Sequence, residues 1–142
     1  MTIAAIIASR THSIVTVAPD ALVSDVVALL AERRIGAVPV MQGAEVVGIL
    51  SERDVLQCLA HEGAHVLGRH ACDIMTAPPI TVDPTKTVIG ALSLMTKRRI
   101  RHLPVIDKGQ LIGFISIGDL VKRRIDQIEA EANAMRDYIT QA

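Results

Sequence analysis

The sequence predicts an α/β fold in which two copies of one β-α-β-β-α unit form two lobes that face each other about a pseudo-two-fold axis. Two observations carry that prediction. The first is an ungapped internal repeat. Moved by 65 residues, the stretch 16–55 lies on 81–120 with thirteen of forty positions identical, among them Thr16/Thr81, Pro19/Pro84, Ile35/Ile100, Pro39/Pro104, Gly48/Gly113, Ser51/Ser116 and Asp54/Asp119. A unit given only twice does not build a solenoid, which needs three or more stacked repeats to close its core. The second is that helical and strand periodicities recur at matching places in both copies. The chain therefore divides into 1–70, the first copy with an N-terminal segment and linker, and 71–142, the second copy with a C-terminal helix.

The elements follow in order. Ile14–Val17 is a β-branched run closed by Pro19 and reads as a strand. Val23, Val26, Val27 and Leu30 recur at helical spacing on one face, and Val88, Ala91, Leu92 and Met95 repeat it. Ala37–Met41 and Val46–Leu50 flank Gly43 as two strands around a tight turn; Leu103–Ile106 and Leu111–Ile115 flank Lys108 and Gly109 in the same way. A helix follows each pair, from about Glu52 and from about Ile117, and Gly63–His70 reads as a polar linker. Pro39 and Pro104 lie inside strands, where a missing N–H predicts an edge or a bulge. Gly48 and Gly113, in the next strand, mark either a bulge or a close approach of backbone or ligand.

Composition narrows the function. Half of the 142 residues are apolar, yet Phe114 and Tyr138 are the only aromatic residues of the Phe, Tyr and Trp type, so the core must be aliphatic. Fifteen basic residues balance fifteen acidic ones, which gives no general attraction to nucleic acid or to an acidic membrane. No apolar run approaches the ~18 residues of a membrane span, and Met1–Ala8 lacks the basic leader of a signal peptide. Cys58 and Cys72 do not make a disulfide framework. The expected setting is cytoplasmic, with reduced thiols.

One motif carries chemistry. G-x-x-S-x-x-D occurs at Gly48–Asp54 and again at Gly113–Asp119, each time where a strand becomes a helix. Its structural meaning is a capping box, with Ser at the N-cap and an acid three residues on. Its functional meaning uses the same place. A helix N-terminus offers free N–H groups to an anion. The carboxylates of Asp54 and Asp119 can accept from the two hydroxyls of a ribose, while Ser51 and Ser116 add a hydroxyl for a phosphate. A carboxylate beside an anion site suits a ligand that carries both a diol and a negative charge, as a nucleotide does.

Paired β-α-β-β-α units with Ile35–Val40 and Gly48–Asp54 in one copy, and Arg99–Asp107 and Gly113–Asp119 in the other, resemble the cystathionine β-synthase (CBS) domain family. The resemblance covers about 14–124. It implies a stand-alone tandem pair, packed sheet to sheet, with two clefts for an adenosine ligand: AMP, ADP, ATP or NAD(H), with S-adenosylmethionine a weaker candidate. It places the ribose-binding acid on Asp54 and Asp119 and the hydroxyl on Ser51 and Ser116. A basic pair that meets phosphate falls on Arg101 and His102, with Pro104 beside it, and the positions edging adenine fall on Thr16, Val17, Thr81 and Val82. The copies differ where it matters. Arg101 and His102 replace Gly36 and Ala37, and Arg53 stands where the second copy has Gly118, so the two clefts are expected to be unequal. The resemblance also implies a homodimer.

Three other features compete. Cys58, His61, His65, His70 and Cys72 are legitimate ligand types for a transition metal, but their spacing matches no closed zinc pattern and no metal is assigned to them. Val121, Ile125, Ile128, Ala132, Met135 and Ile139 form a 4-3-4-3-4 stripe, either packed on their own lobe or meeting a second chain, with apolar Ile3–Ile7 joining them. Phosphate-loop, dinucleotide, C-x-x-C and nucleophile-elbow motifs are missing, so no catalytic residues are assigned and the chain is not expected to be an enzyme. Short basic clusters without aromatics argue against nucleic acid. The expectation is a regulatory sensor whose ligand alters lobe or dimer geometry, read by a downstream protein the sequence does not name. A ligand-free scaffold and a Cys/His metal sensor are the alternatives.

Overall fold

The computed structural model describes residues 1–10 and 13–141. Helix α1 (Ile3–Ala8) precedes the first unit, which runs through α2 (Val23–Arg33), β1 (Ala37–Gln42), β2 (Glu45–Ser51) and α3 (Glu52–Glu62). A 3-10 turn (Gly63–Gly68) and α4 (Ala71–Ile74) lead to α5 (Val88–Arg98), β3 (His102–Asp107), β4 (Gln110–Ser116) and α6 (Ile117–Gln141). The helical stripes face inward as their spacing predicts. Val23, Val26 and Leu30 of α2 and Val88, Ala91 and Met95 of α5 are buried. Both helices end on an arginine in the left-handed region, Arg34 at φ 54° and Arg99 at φ 55°. These stops turn the chain into β1 and β3.

β1 pairs antiparallel with β2, and β3 with β4, each pair with one register shift, at Val40/Met41 and at Val105/Ile106. The strand expected at Ile14–Val17 is reduced to one parallel bridge, Val17 to Val40, and Val82 to Val105 repeats it. The prolines explain the reduction. Val17 N–H donates to the Pro39 carbonyl and Met41 N–H to the Val17 carbonyl, at 3.1 and 2.8 Å. The next rung of a parallel ladder would need an N–H on residue 39, and proline has none. Pro104 stops the second ladder in the same way after Val82 N–H donates to its carbonyl at 3.0 Å.

The glycines in β2 and β4 mark both features the sequence left open. Gly48 and Gly113 pair with the residues just before each register shift. They also lie under a crossing side chain. A Cβ at Gly48 would lie 2.5 Å from Met75 Sδ and 3.0 Å from the Thr76 carbonyl oxygen, and one at Gly113 would lie 2.8 Å from Ile7 Cδ1.

Those crossing residues show how the units interleave. Ile3 and Ile6 of α1 are buried in the core of the second unit, with Val88, Met95, Leu103 and Leu120. Ala71 and Ile74 of α4 are buried in the core of the first, with Val23, Val38 and Leu50. The hydrogen bonds are equivalent. Ile3 and Ala4 N–H donate to the Lys86 and Pro84 carbonyls, and Ala71 and Cys72 N–H donate to those of Ala21 and Pro19, all at 2.8–2.9 Å. Ile3–Ile7 was expected to join a contact with a second chain; instead, Ile3 and Ile6 fill the second core. The segment read as a polar linker is a 3-10 turn whose Val66 is fully buried in the first core. Among the described residues no helix is long and apolar enough to cross a membrane.

Candidate functional site

Both S-x-x-D motifs form helix caps. Ser51 Oγ accepts from Asp54 N–H at 3.2 Å, and Asp54 Oδ2 accepts from Ser51 N–H at 2.9 Å, a complete capping box at the start of α3. Ser116 and Asp119 repeat the two bonds at 3.2 and 2.8 Å. The cap fixes where each carboxylate sits, and the two carboxylates then meet different neighbours.

Asp54 borders a cavity of about 260 Å³ between the lobes. Its Oδ1 accepts from Thr76 Oγ1 at 2.9 Å, and Ser51 Oγ donates to its Oδ2 at 3.0 Å. The first lobe supplies Gly36, Ile49, Ser51, Glu52, Arg53 and Gln57. The second supplies Ile100, Arg101 and His102, together with Arg99 at the left-handed stop of α5. The connecting segment contributes Thr76 and an apolar wall of Pro78, Pro79 and Ile80. Three guanidinium groups and two carboxylates therefore ring an aliphatic pocket at the N-terminus of α3. Such a surface takes an anion through the arginines, with the positive end of the α3 dipole behind them, and a polyol through Asp54; the first N–H groups of α3 are already engaged, Glu52 N–H by the Gly36 carbonyl at 2.9 Å and Asp54 N–H by Ser51 Oγ.

His102 sits where the lobes meet. Its Cε1 lies 3.4 Å from where a Cβ on Gly36 would be, so the imidazole packs against the backbone of the opposite lobe. The ring stacks on Phe114, centroids 5.6 Å apart at 12°. Burial pushes the imidazole below its ordinary value, with Arg101 adding to the shift and Glu52 and Asp119 opposing it.

Asp119 is already paired. The Arg10 guanidinium forms an ion pair with its Oδ2, and Arg10 Nη1 donates to the Phe114 carbonyl at 2.7 Å. Burial pushes this carboxyl up, but the Ser116 backbone N–H, the Arg10 guanidinium and the Ser116 hydroxyl outweigh it and leave it below its ordinary value.

Of the residues the sequence singled out, Ser51, Arg53, Asp54, Arg101 and His102 line this one cavity. Ser116 and Asp119 lie at the start of α6 beside Arg10. Thr81 and Val82 line a different hollow with Lys86 and Ile106, and Val82 is buried in the second core. Thr16 is exposed and Val17 is spent on its bridge to β1, and neither lines the Asp54 cavity. Pro104 is buried within its strand, also away from that cavity. The pocket adds Thr76, Ile80, Arg99 and Ile100. Arg99 and Ile100 carried a signal, since they match Arg34 and Ile35 in the repeat. Cys58 packs half-buried against the first core and Cys72 is exposed. Among the described residues no three His, Cys, Asp or Glu side chains converge as a metal site would require.

Comparison with known families decides the assignment: the CBS domain profile matches residues 6–61 and again 71–126. The chain belongs to the CBS domain family. The two matched stretches begin 65 residues apart, the offset of the internal repeat. The chain is similar to the mitochondrial CBS domain-containing protein CBSX3 of Arabidopsis thaliana, 36% identical over 125 residues, covering 84% of this chain and 61% of that protein's length. A CBS-domain structure from Burkholderia ambifaria MC40-6 superposes with a TM-score of 0.84 at 39% identity, over 89% of this chain and 95% of the other. CBSX2, solved in complex with AMP, superposes with a TM-score of 0.74 at 25% identity, over 88% of this chain and 97% of the other. The fold is thus a tandem CBS pair, and the two capped carboxylates are the equivalent motifs of its two repeats.

Proposed function

We propose that this CBS pair is a regulatory module that binds an adenosine nucleotide in the Asp54 cleft, and is not an enzyme. The observation that carries the reading is the joining of a half-buried carboxylate, the N-terminus of α3 and Arg53, Arg99 and Arg101 around one aliphatic pocket. Ribose hydroxyls would donate to Asp54, and the phosphates would meet the arginines and His102. The base would lie against Ile49, Pro79, Ile80 and Ile100, without an aromatic partner. The AMP complex of CBSX2 supports the ligand class. AMP, ADP, ATP and NAD(H) all satisfy this chemistry, whereas cationic S-adenosylmethionine makes poorer use of three arginines.

The second cleft is the weaker one in this reading, because Arg10 already neutralises Asp119. The pocket draws on both lobes and on the segment between them. A ligand that prefers one lobe arrangement would therefore shift their packing by its difference in affinity between the two arrangements. The active species is a homodimer, and a further protein reads the change.

The test is thermal unfolding with AMP, ADP, ATP, NAD, NADH and S-adenosylmethionine, after stripping carried-over ligand. A ligand at about 100 times its Kd adds ~2.7 kcal/mol, a rise of roughly 5–15 °C for a chain of this size. The Asp54→Ala variant should lose the ligand-induced rise measured against its own unliganded baseline, while Asp119→Ala keeps most of it. No rise with any of the six at millimolar concentration would leave both motifs as helix caps alone, which is the scaffold reading.

A further inference from the structure

The geometry points to α6 as a parallel, in-register two-stranded coiled coil with α6 of a second copy of this chain, closed by Arg124–Glu129 and Glu131–Arg136 pairs between the copies. This rests on the homodimer proposed above and specifies its contact. α6 has 25 residues, about 37 Å of helix. Its attachments to the body lie in the first two turns: Leu120 is buried in the second core, and Arg123 reaches the Ala5 carbonyl and Ser9 Oγ at 3.3 Å. From Ile128 to Gln141 every residue is exposed.

An apolar stripe starts at Val121 and continues along this free length. Val121, Ile125, Ile128, Met135 and Ile139 are 42–66% exposed, with Ala132 completing the 4-3-4-3-4 spacing. That spacing is the seam of a left-handed coiled coil, with Val121, Ile128 and Met135 at d and Ile125, Ala132 and Ile139 at a.

The charges beside the seam choose the orientation. Lys122, Glu129 and Arg136 fall at e, and Arg124, Glu131 and Tyr138 at g. In a parallel pair each g residue faces the e residue five positions on in the other chain. Arg124 then meets Glu129 and Glu131 meets Arg136, each twice by symmetry, and every contact is attractive. In the antiparallel register that aligns the whole stripe, Glu129 and Glu131 would each face their own copies and Lys122 would face Arg136. Every contact between ionised groups would then be repulsive. The seam is under three heptads, too short to be stable as a free peptide. Here each helix is held at its start by its own lobe, so the strands enter already folded.

The test uses the full chain with Cys58→Ala and Cys72→Ala, then Met135→Cys. Light scattering gives the mass, and mild oxidation reports which positions face each other. A parallel pair places residue 135 of the two copies at the same seam level, within the ~4.4–6.8 Å Cα separation of a disulfide, so M135C should give a covalent dimer. Reversal of one partner by Glu129→Arg should weaken the dimer about tenfold, and the added Arg124→Glu should restore it. A dimer in which M135C fails to link, but I125C links to M135C when the two are mixed, overturns the parallel arrangement and keeps the dimer. A dimer with no link through either position overturns the use of α6. A monomer overturns the contact and the proposed dimer together, while leaving the nucleotide cleft to its own assay.

Discussion

Replacing Gly48 by alanine tests the link between the interleaved segments and the cleft. The added Cβ would lie 2.5 Å from Met75 Sδ, 2.9 Å from Met75 Cγ and 3.0 Å from the Thr76 carbonyl oxygen. The methionine end can swing aside, but the carbonyl cannot: it accepts from Ile49 N–H at 3.0 Å, and Thr76 N–H donates to Ile49 at 2.8 Å. Relief must push the 75–76 backbone away from β2. Overpacking of this kind costs ~1–3 kcal/mol, which for a chain of this length lowers Tm by about 3–10 °C. The same push moves Thr76 Oγ1, 2.9 Å from Asp54, and the pocket wall behind it. Nucleotide affinity should fall together with Tm. Gly113→Ala is the internal control. Its nearest contacts, 2.8 and 2.9 Å, are both with the Ile7 side chain of the six-residue α1, so it should cost less. Thermal unfolding of both variants, followed by nucleotide titration, reads the result. An unchanged Tm for Gly48→Ala, or a larger loss for Gly113→Ala, would refute the claim that the Thr76 backbone fixes this strand and the cleft beside it.

Two further outcomes follow from the site. His102 has a folded-state pKa held below its ordinary ~6.5, first by burial. Its contribution to stability is therefore complete above that value and is lost as pH falls toward and through the folded one, because the unfolded chain takes up the proton first. Urea denaturation across that window should show stability falling with pH in the wild type and a shallower fall in His102→Gln; equal slopes would mean the imidazole is not held neutral between the lobes. Arg10→Ala should free Asp119 at little cost in stability, since the pair is about one-third exposed and such pairs are worth ~0–1 kcal/mol. In calorimetric titration a second, weaker nucleotide site should tighten by up to about fivefold, and an unaltered second site would show that Arg10 does not compete with ligand.

How much was legible in the sequence differs from element to element. The repeat offset, the inward faces of α2 and α5, the hairpins and the capped S-x-x-D motifs are local properties. Each is written in spacings of two to seven residues, and periodicity over such distances is what sequence patterns record. Ser51, Arg53 and Asp54, close together in the motif, line one cavity, and Arg101 and His102, where the copies differ, line it from the other lobe. Other features depended on contacts with no local signature. The strand at 14–17 is shortened by a proline more than twenty residues away. The exchange of α1 and α4 between lobes follows from which core had room for Ile3, Ile6, Ala71 and Ile74, and short apolar runs do not say which core they enter. The Thr76–Ile80 wall has no periodicity to read, and it reached the cleft only because Thr76 pairs with Ile49.

Local spacing is enough to read two equivalent units, the helix, hairpin and helix within each, and a carboxylate held at the N-terminus of each last helix. The inequivalence of the two carboxylates comes from packing. Asp54 faces a pocket built from both lobes, while Asp119 is taken by Arg10 from the other end of the chain. The physical reason is range: a cap is made by residues three apart, whereas a cleft between lobes is made by side chains whose meeting depends on how two separate cores pack.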